Sequence, residues 1–196
     1  MSGFTLRTIA TPEDIPFRAQ KSREFVAYWQ ALRNGGPVPR AEDIHPGSMR
    51  HLLPEIFIFE LPEDKSIRYR LAGTKVVKRM GFEPKGMNLL DLTPSERRDE
   101  IYFAFSLACP YRVGGLAHFT ATSGAQVNTM LELVLLPIKA PAGQPPRIIA
   151  ISTLLEPEPA LPDETGTRIL AREVENAIIF DLGFGIPDDM PLPDQN

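Results

Sequence analysis

One cysteine, Cys109, and three histidines, His45, His51 and His118, are all that the 196 residues offer to disulfide or soft-metal chemistry. A lone cysteine closes no intrachain disulfide, and nothing points to an oxidising compartment. A structural zinc site needs about four clustered ligands, and the histidines are not spaced with Cys109 or with carboxylates to supply them, so no metal is expected. No run approaches the roughly 18 apolar residues of a membrane span. The amino terminus lacks the basic segment and apolar run of a secretory signal. These absences lead to the expectation of a cytoplasmic protein.

Excess positive charge is lacking too. A formal net charge of −4 argues against a dedicated nucleic-acid binder. The average hides an asymmetry: from Glu156 onward there are ten acidic and two basic residues, against fifteen acidic and nineteen basic before it. That acidic part also holds six of the twenty prolines. The chain is therefore expected to divide into a flanking helix over residues 1–36, a core over 37–156 and an acidic, Pro-rich extension over 157–196. Beyond Pro187 the extension carries too little apolar surface to offset ordering and is expected to be disordered. Leu182 and Phe184, within Asp181–Gly185, are free to dock on the core or on a partner.

What is present reads as an α+β pattern. Ser22, Phe25, Val26, Trp29 and Leu32 share one side of a helix over Phe17–Asn34, which Asn34-Gly35-Gly36-Pro37 ends. Pro46–Leu53 reads as one short helix. Ile56–Phe59 lacks polar alternation, which predicts a strand covered on both faces. Ile67–Ala72 is the next strand, and Thr74–Met80 a short helix stopped by Gly81. Thr93-Pro94-Ser95-Glu96 has the form of a capping box opening a helix that buries Ile101, Phe105 and Ala108. Three further strands are expected over Val113–Thr122, Val127–Leu136 and Arg147–Leu155, the first two joined by Ser123-Gly124-Ala125-Gln126. Strands adjacent in sequence and joined by short loops are antiparallel neighbours. The expected fold is a five-stranded antiparallel sheet near residues 55–61, 67–72, 113–122, 127–136 and 147–155. Helices cover one face and the N-terminal flanking helix the other.

Several motifs in this order resemble a bacterial family of small, stand-alone PAS-domain proteins of the alphaproteobacterial type. They are Tyr28-Trp29 followed by Pro39-Arg40 and Asp43-Ile44-His45-Pro46; Leu52-Leu53-Pro54; Tyr69-Arg70-Leu71-Ala72-Gly73-Thr74 with Gly81 and Gly86; and Glu132–Pro137. Asp181-Leu182-Gly183-Phe184-Gly185 is similar to a glycine-rich tail of some members. The resemblance runs from about Phe25 to Leu155. It implies a PAS fold and a signalling module that senses a small molecule or docks protein partners, homodimers included, and it names no cofactor.

No nucleophile–base arrangement is visible. Ser123 is a turn serine, Glu96–Glu100 belongs to a helix start and its solvent face, and Gly114-Gly115 is no phosphate loop. Cys109, beside Pro110, does not sit in the helix motif of a photoactive flavin PAS domain. His118 on a strand has the type of a haem ligand, but reads better as a hydrogen-bonded or surface histidine. No kinase nucleotide site, cyclase motif or helix-turn-helix is found, so no enzyme activity is expected. Among Arg68, Arg70, Lys75, Lys78, Arg79 and Lys85, most cations read as solvated or as meeting a helix C-terminus. Arg70 needs either a carboxylate such as Asp91 or a ligand. The residues expected to frame a PAS-type ligand space are Tyr69, Arg70, Thr74, Met80, Phe82, Met87, His118 and Met130, suited to a small, weakly anionic or amphipathic molecule. Two rival readings stay open: an enzyme or ligand carrier on another cone-shaped α+β fold, and a purely structural dimerisation unit.

Overall fold

Ile56-Phe57-Ile58-Phe59 lacks polar alternation because the sheet it belongs to is covered on both faces. A computed structural model of the chain describes residues 6–9, 12–33, 35–122, 128–156 and 170–191. Seven strands, β1 (Leu6–Ile9), β2 (Ile56–Glu60), β3 (Arg68–Ala72), β4 (Val113–Thr122), β5 (Asn128–Ile138), β6 (Arg147–Leu154) and β7 (Leu170–Asp181), form one sheet in the order β1-β7-β4-β5-β6-β2-β3. Every pairing is antiparallel except β1 with β7. Three α-helices accompany it: α1 (Gln20–Leu32), α2 (Thr74–Met80) and α3 (Arg98–Tyr111).

On one face Ile56, Val134, Leu136, Ile149 and Ile151 pack with Phe25 and Trp29 of α1. On the other Phe57, Phe59, Leu135, Ile148 and Ala150 pack with Val76 of α2 and with Phe105 and Ala108 of α3. Successive residues of β6 alternate between these cores, so all of Arg147–Thr153 is buried. Trp29 is 1% exposed, and its indole N–H donates to the Pro137 carbonyl at 2.8 Å, which locks α1 onto β5. Gly81 ends α2 at φ 73°, a left-handed position that glycine adopts without a Cβ penalty.

The five expected strands are present, with the last three antiparallel, but the sheet has seven. β7 pairs with β4 from Val113↔Asp181 to Thr122↔Leu170, and β1 lies parallel to β7 at the edge. Ala177-Ile178-Ile179-Phe180 supplies the apolar run that β7 needs, within a segment whose average composition is acidic. The expected turn at Ser123–Gln126 lies outside the described residues.

Two local expectations are corrected. Pro46–Leu53 does not form one helix, because the prolines open separate short 3-10 turns at Pro46–Met49 and Leu53–Glu55. The capping box at Thr93 does not form. The Thr93 hydroxyl donates backwards to the Leu89 carbonyl at 3.0 Å, closing a preceding turn at Leu89–Leu92, and α3 begins only at Arg98.

The glycine-rich tail docks on the core. Leu182 is fully buried beside Phe25 and Phe180, and Arg33 donates to the Leu182 carbonyl at 2.6 Å. The Arg33 guanidinium also lies 4.2 Å from the Phe184 ring centroid. Asp181 Oδ1 accepts from the backbone N–H groups of Gly183 and Phe184, and Gly183 takes φ +94° to make that turn. Order also extends from Pro187 to Pro191, against expectation, with residues 192–196 outside the described ones: Met190 is 5% exposed in a cluster with Leu107, Val113, Ala177 and Ile179. Removing residues 188–196 should cost about 2 kcal/mol for the lost methionine packing. In a chain of this size that lowers Tm by roughly 4–8 °C. An unchanged melting curve of the truncated protein would show that Met190 contributes nothing.

Candidate functional site

Between the α2/α3 face of the sheet and those helices lies a cavity of about 210 Å³. β2 and β3 contribute Phe57, Phe59 and Tyr69, the central strands contribute Ala117, Phe119, Leu131 and Leu133, and the helices add Ile101, Ala104 and Phe105. The rings form a connected wall: Phe57 stacks on Phe59 at 5.4 Å and 22°, and Phe59 meets Phe105 edge-on at 5.3 Å and 88°.

Polar groups on the wall are few. Tyr69 is 4% exposed, and burial pushes its phenol well above the ordinary range. Arg79 is 5% exposed and donates to the Ser152 carbonyl at 2.7 Å, bringing its cation to the cavity. Thr93 and Ser152 complete the set.

Of the eight residues expected to frame a ligand space, three lie on this wall: Tyr69, Met80 and Phe82. The other five lie elsewhere. Arg70 is exposed and pairs with Glu60 at 3.3 Å, not with Asp91. Thr74 is exposed at the start of α2, and Met87, 40% exposed, offers only its carbonyl to the Tyr69 N–H. His118 and Met130 are on the opposite sheet face, beneath α1. The phase of β4 and β5 sets this: Ala117, Phe119, Leu131 and Leu133 turn to the cavity, so His118, between the first two, and Met130, next to Leu131, turn away.

Arg79 is the wall residue that a reading of α2 as a solvated helix end misses. Its signal is the spacing to Val76, i to i+3, which puts both on the buried side of α2. The neighbouring cations are paired elsewhere, Arg68 with the exposed Asp64 at 2.9 Å and Lys75 with the buried Glu55 at 3.4 Å.

On the α1 face, His118 Nε2 donates to Glu132 at 2.8 Å, and both side chains are almost wholly buried. The Glu132 carboxylate also accepts the backbone N–H groups of Arg18 at 2.7 Å and Ala19 at 3.1 Å, immediately before α1. Burial alone would raise the Glu132 pKa. His118, Ser22 and the two backbone donors together outweigh it and hold the group below its ordinary 4.5. This pair seats the helix and stands apart from the cavity. Cys109 is half-buried, donates to the Arg147 carbonyl at 3.4 Å, and has its thiol pushed up to about 12 by desolvation, so it is no nucleophile at neutral pH. Among the described residues no cluster of three or more His, Cys, Asp or Glu is placed to hold a metal ion, and no helix is long and apolar enough to cross a membrane.

The family model for the PAS domain matches residues 17–153, and the chain belongs to that family. β7 lies outside the matched span. No curated protein matches the chain. Membership implies a sensory or regulatory module, in a family that is usually non-catalytic.

Replacing Glu132 with Ala strands His118 and the backbone N–H groups before α1, and should cost about 3–5 kcal/mol in urea unfolding at pH 7. Because the folded carboxylate titrates below its ordinary value, its contribution is complete above about pH 4.5 and fades as pH falls through the folded value. The wild type should therefore lose stability between pH 5 and pH 3 more steeply than Glu132→Ala; equal slopes would contradict this role.

Proposed function

We propose that this protein is a PAS-type regulatory sensor or adaptor in signalling. A small molecule enters the cavity under α2 and α3, and the change passes to protein partners, a second copy of this chain included, by contact and without a catalytic step. The observation that carries the reading is the cavity itself. A purely structural dimerisation unit has no use for unfilled space behind a wall of Phe side chains, since close packing there stabilises the fold. The polar groups on the wall are too few for acid–base chemistry, and the buried His118–Glu132 pair faces away from it. An enzyme of another cone-shaped fold needs such a pair converging on the pocket.

The test combines native mass spectrometry of freshly purified protein with a thermal-shift screen of metabolites, run on the wild type and on Ala117→Phe, whose added ring occupies the cavity. A bound mass or a stabilising compound should appear with the wild type and be lost in the variant. Equal stabilisation of both by a confirmed ligand would put the ligand elsewhere. No bound mass and no stabilising compound would leave partner docking as the function.

A further inference from the structure

The sensor reading leaves the ligand's chemistry open, and the cavity wall narrows it. Tyr69 is 4% exposed, and its backbone is fully engaged: its N–H donates to the Met87 carbonyl at 3.0 Å and its carbonyl accepts from Gly86 at 2.6 Å. Among the described residues its hydroxyl makes no hydrogen bond, and it is not one of the sealed side-chain atoms, so it stays open to a partner from the cavity; burial of the residue is the sole cause of the raised phenol pKa. A tyrosine hydroxyl in apolar surroundings normally finds a partner. The ring itself is fixed, 4.8 Å from Phe59 and 5.7 Å from Phe57 between centroids. The hydroxyl is therefore a preorganised hydrogen-bonding group on the wall of an apolar space.

The other walls say what surrounds it. Phe57, Phe59, Phe82, Phe105 and Phe119 join Tyr69 around the cavity, presenting both faces and edges of rings. Such surfaces favour a flat π-system, which gains from offset stacking and edge contacts beyond simple area burial. At about 210 Å³ the space is smaller than the roughly 300–1,000 Å³ of pockets for drug-sized ligands, which argues against a long chain or a large cofactor. Arg79 on the same wall carries hydrogen-bond donors alone, which suits an acceptor on the ligand over an N–H donor.

Resting on the sensor reading, we propose that the cavity takes a flat aromatic molecule of one or two rings bearing a hydrogen-bond acceptor, to which the Tyr69 hydroxyl donates. Tyr69 is then the residue that separates acceptor-bearing aromatics from plain hydrocarbons of the same shape. A site built to hydrogen-bond its ligand discriminates in this way because the isostere leaves the site's polar group unpaired.

Three probes test this by calorimetric or NMR titration of the full chain: 2-acetylnaphthalene; 2-ethylnaphthalene, which keeps the shape and lacks the acceptor; and decan-2-one, which keeps the acceptor and lacks the rings. The wild type should bind 2-acetylnaphthalene about tenfold more tightly than either comparator. Tyr69→Phe, which keeps the ring packing and so the fold, should bring 2-acetylnaphthalene down to the affinity of 2-ethylnaphthalene and leave the latter unchanged. Equal binding of the two naphthalenes by wild type, or a preference that survives in Tyr69→Phe, overturns the acceptor assignment. Decan-2-one binding as tightly as 2-acetylnaphthalene overturns the aromatic one. In each of these cases the cavity remains a ligand site. If none of the three probes binds and the metabolite screen is also empty, the sensor reading falls together with the ligand class.

Discussion

A strand buried on both faces serves two cores with one backbone, and this constraint governs the rest of the molecule. In β5, Leu131 and Leu133 line the cavity while Glu132 between them holds the start of α1. In β4, Ala117 and Phe119 line the cavity while His118 between them meets Glu132. The atoms of the cavity wall and the atoms that seat the flanking helix are thus covalent neighbours. A slip of one residue would exchange the two sets and put a carboxylate into the apolar space. The buried Glu132 therefore fixes the register as well as the helix.

A second buried carboxylate ties the two faces together at the side. Glu55, just before β2, is 4% exposed and receives Lys21 of α1 at 2.5 Å and Lys75 of α2 at 3.4 Å. Burial pushes its pKa up, and the two lysines with Thr153 overcome that and hold it low. One side chain thereby contacts helices belonging to opposite layers. The exposed pairs, such as Arg40 with Glu42 and Arg68 with Asp64, lie in high-dielectric surroundings where such pairs contribute little. Placement in the low-dielectric interior separates the two kinds of pair.

The five strands from Ile56 to Leu154 and all three helices were legible in the sequence, because periodicity, turn residues and apolar runs agree there. β7 was not, since an average over an acidic segment conceals a twelve-residue strand whose one continuous apolar run is Ala177–Phe180. At the site, Tyr69, Met80 and Phe82 were legible from their place between the second strand and the following helices. His118 and Met130 were assigned to the wrong face for a definite reason. A strand covered on both sides carries no polar alternation to mark its phase, and only the contacts of Glu132 with the chain before α1 reveal it. Arg79 was hidden by its type, because a cation at a helix end has a sufficient explanation in the helix dipole without burial.

The edge formed by β1 and β7 has a consequence for how the chain reaches this state. Leu6 aligns with Ala177, so the first and last strands meet across nearly the whole sequence, and β4 keeps an open hydrogen-bonding edge until β7 arrives. During synthesis at about 5–20 residues per second, several seconds pass between the emergence of β4 and that of β7. Once β6 has emerged the matched PAS core is on hand, with one long edge unpaired. Such an edge is a template for another chain. High contact order makes its closure slow as well as late. A nascent chain of this protein is thus most vulnerable to mispairing at the strand that carries His118, and completion of the C-terminal strand is the event that ends the exposure.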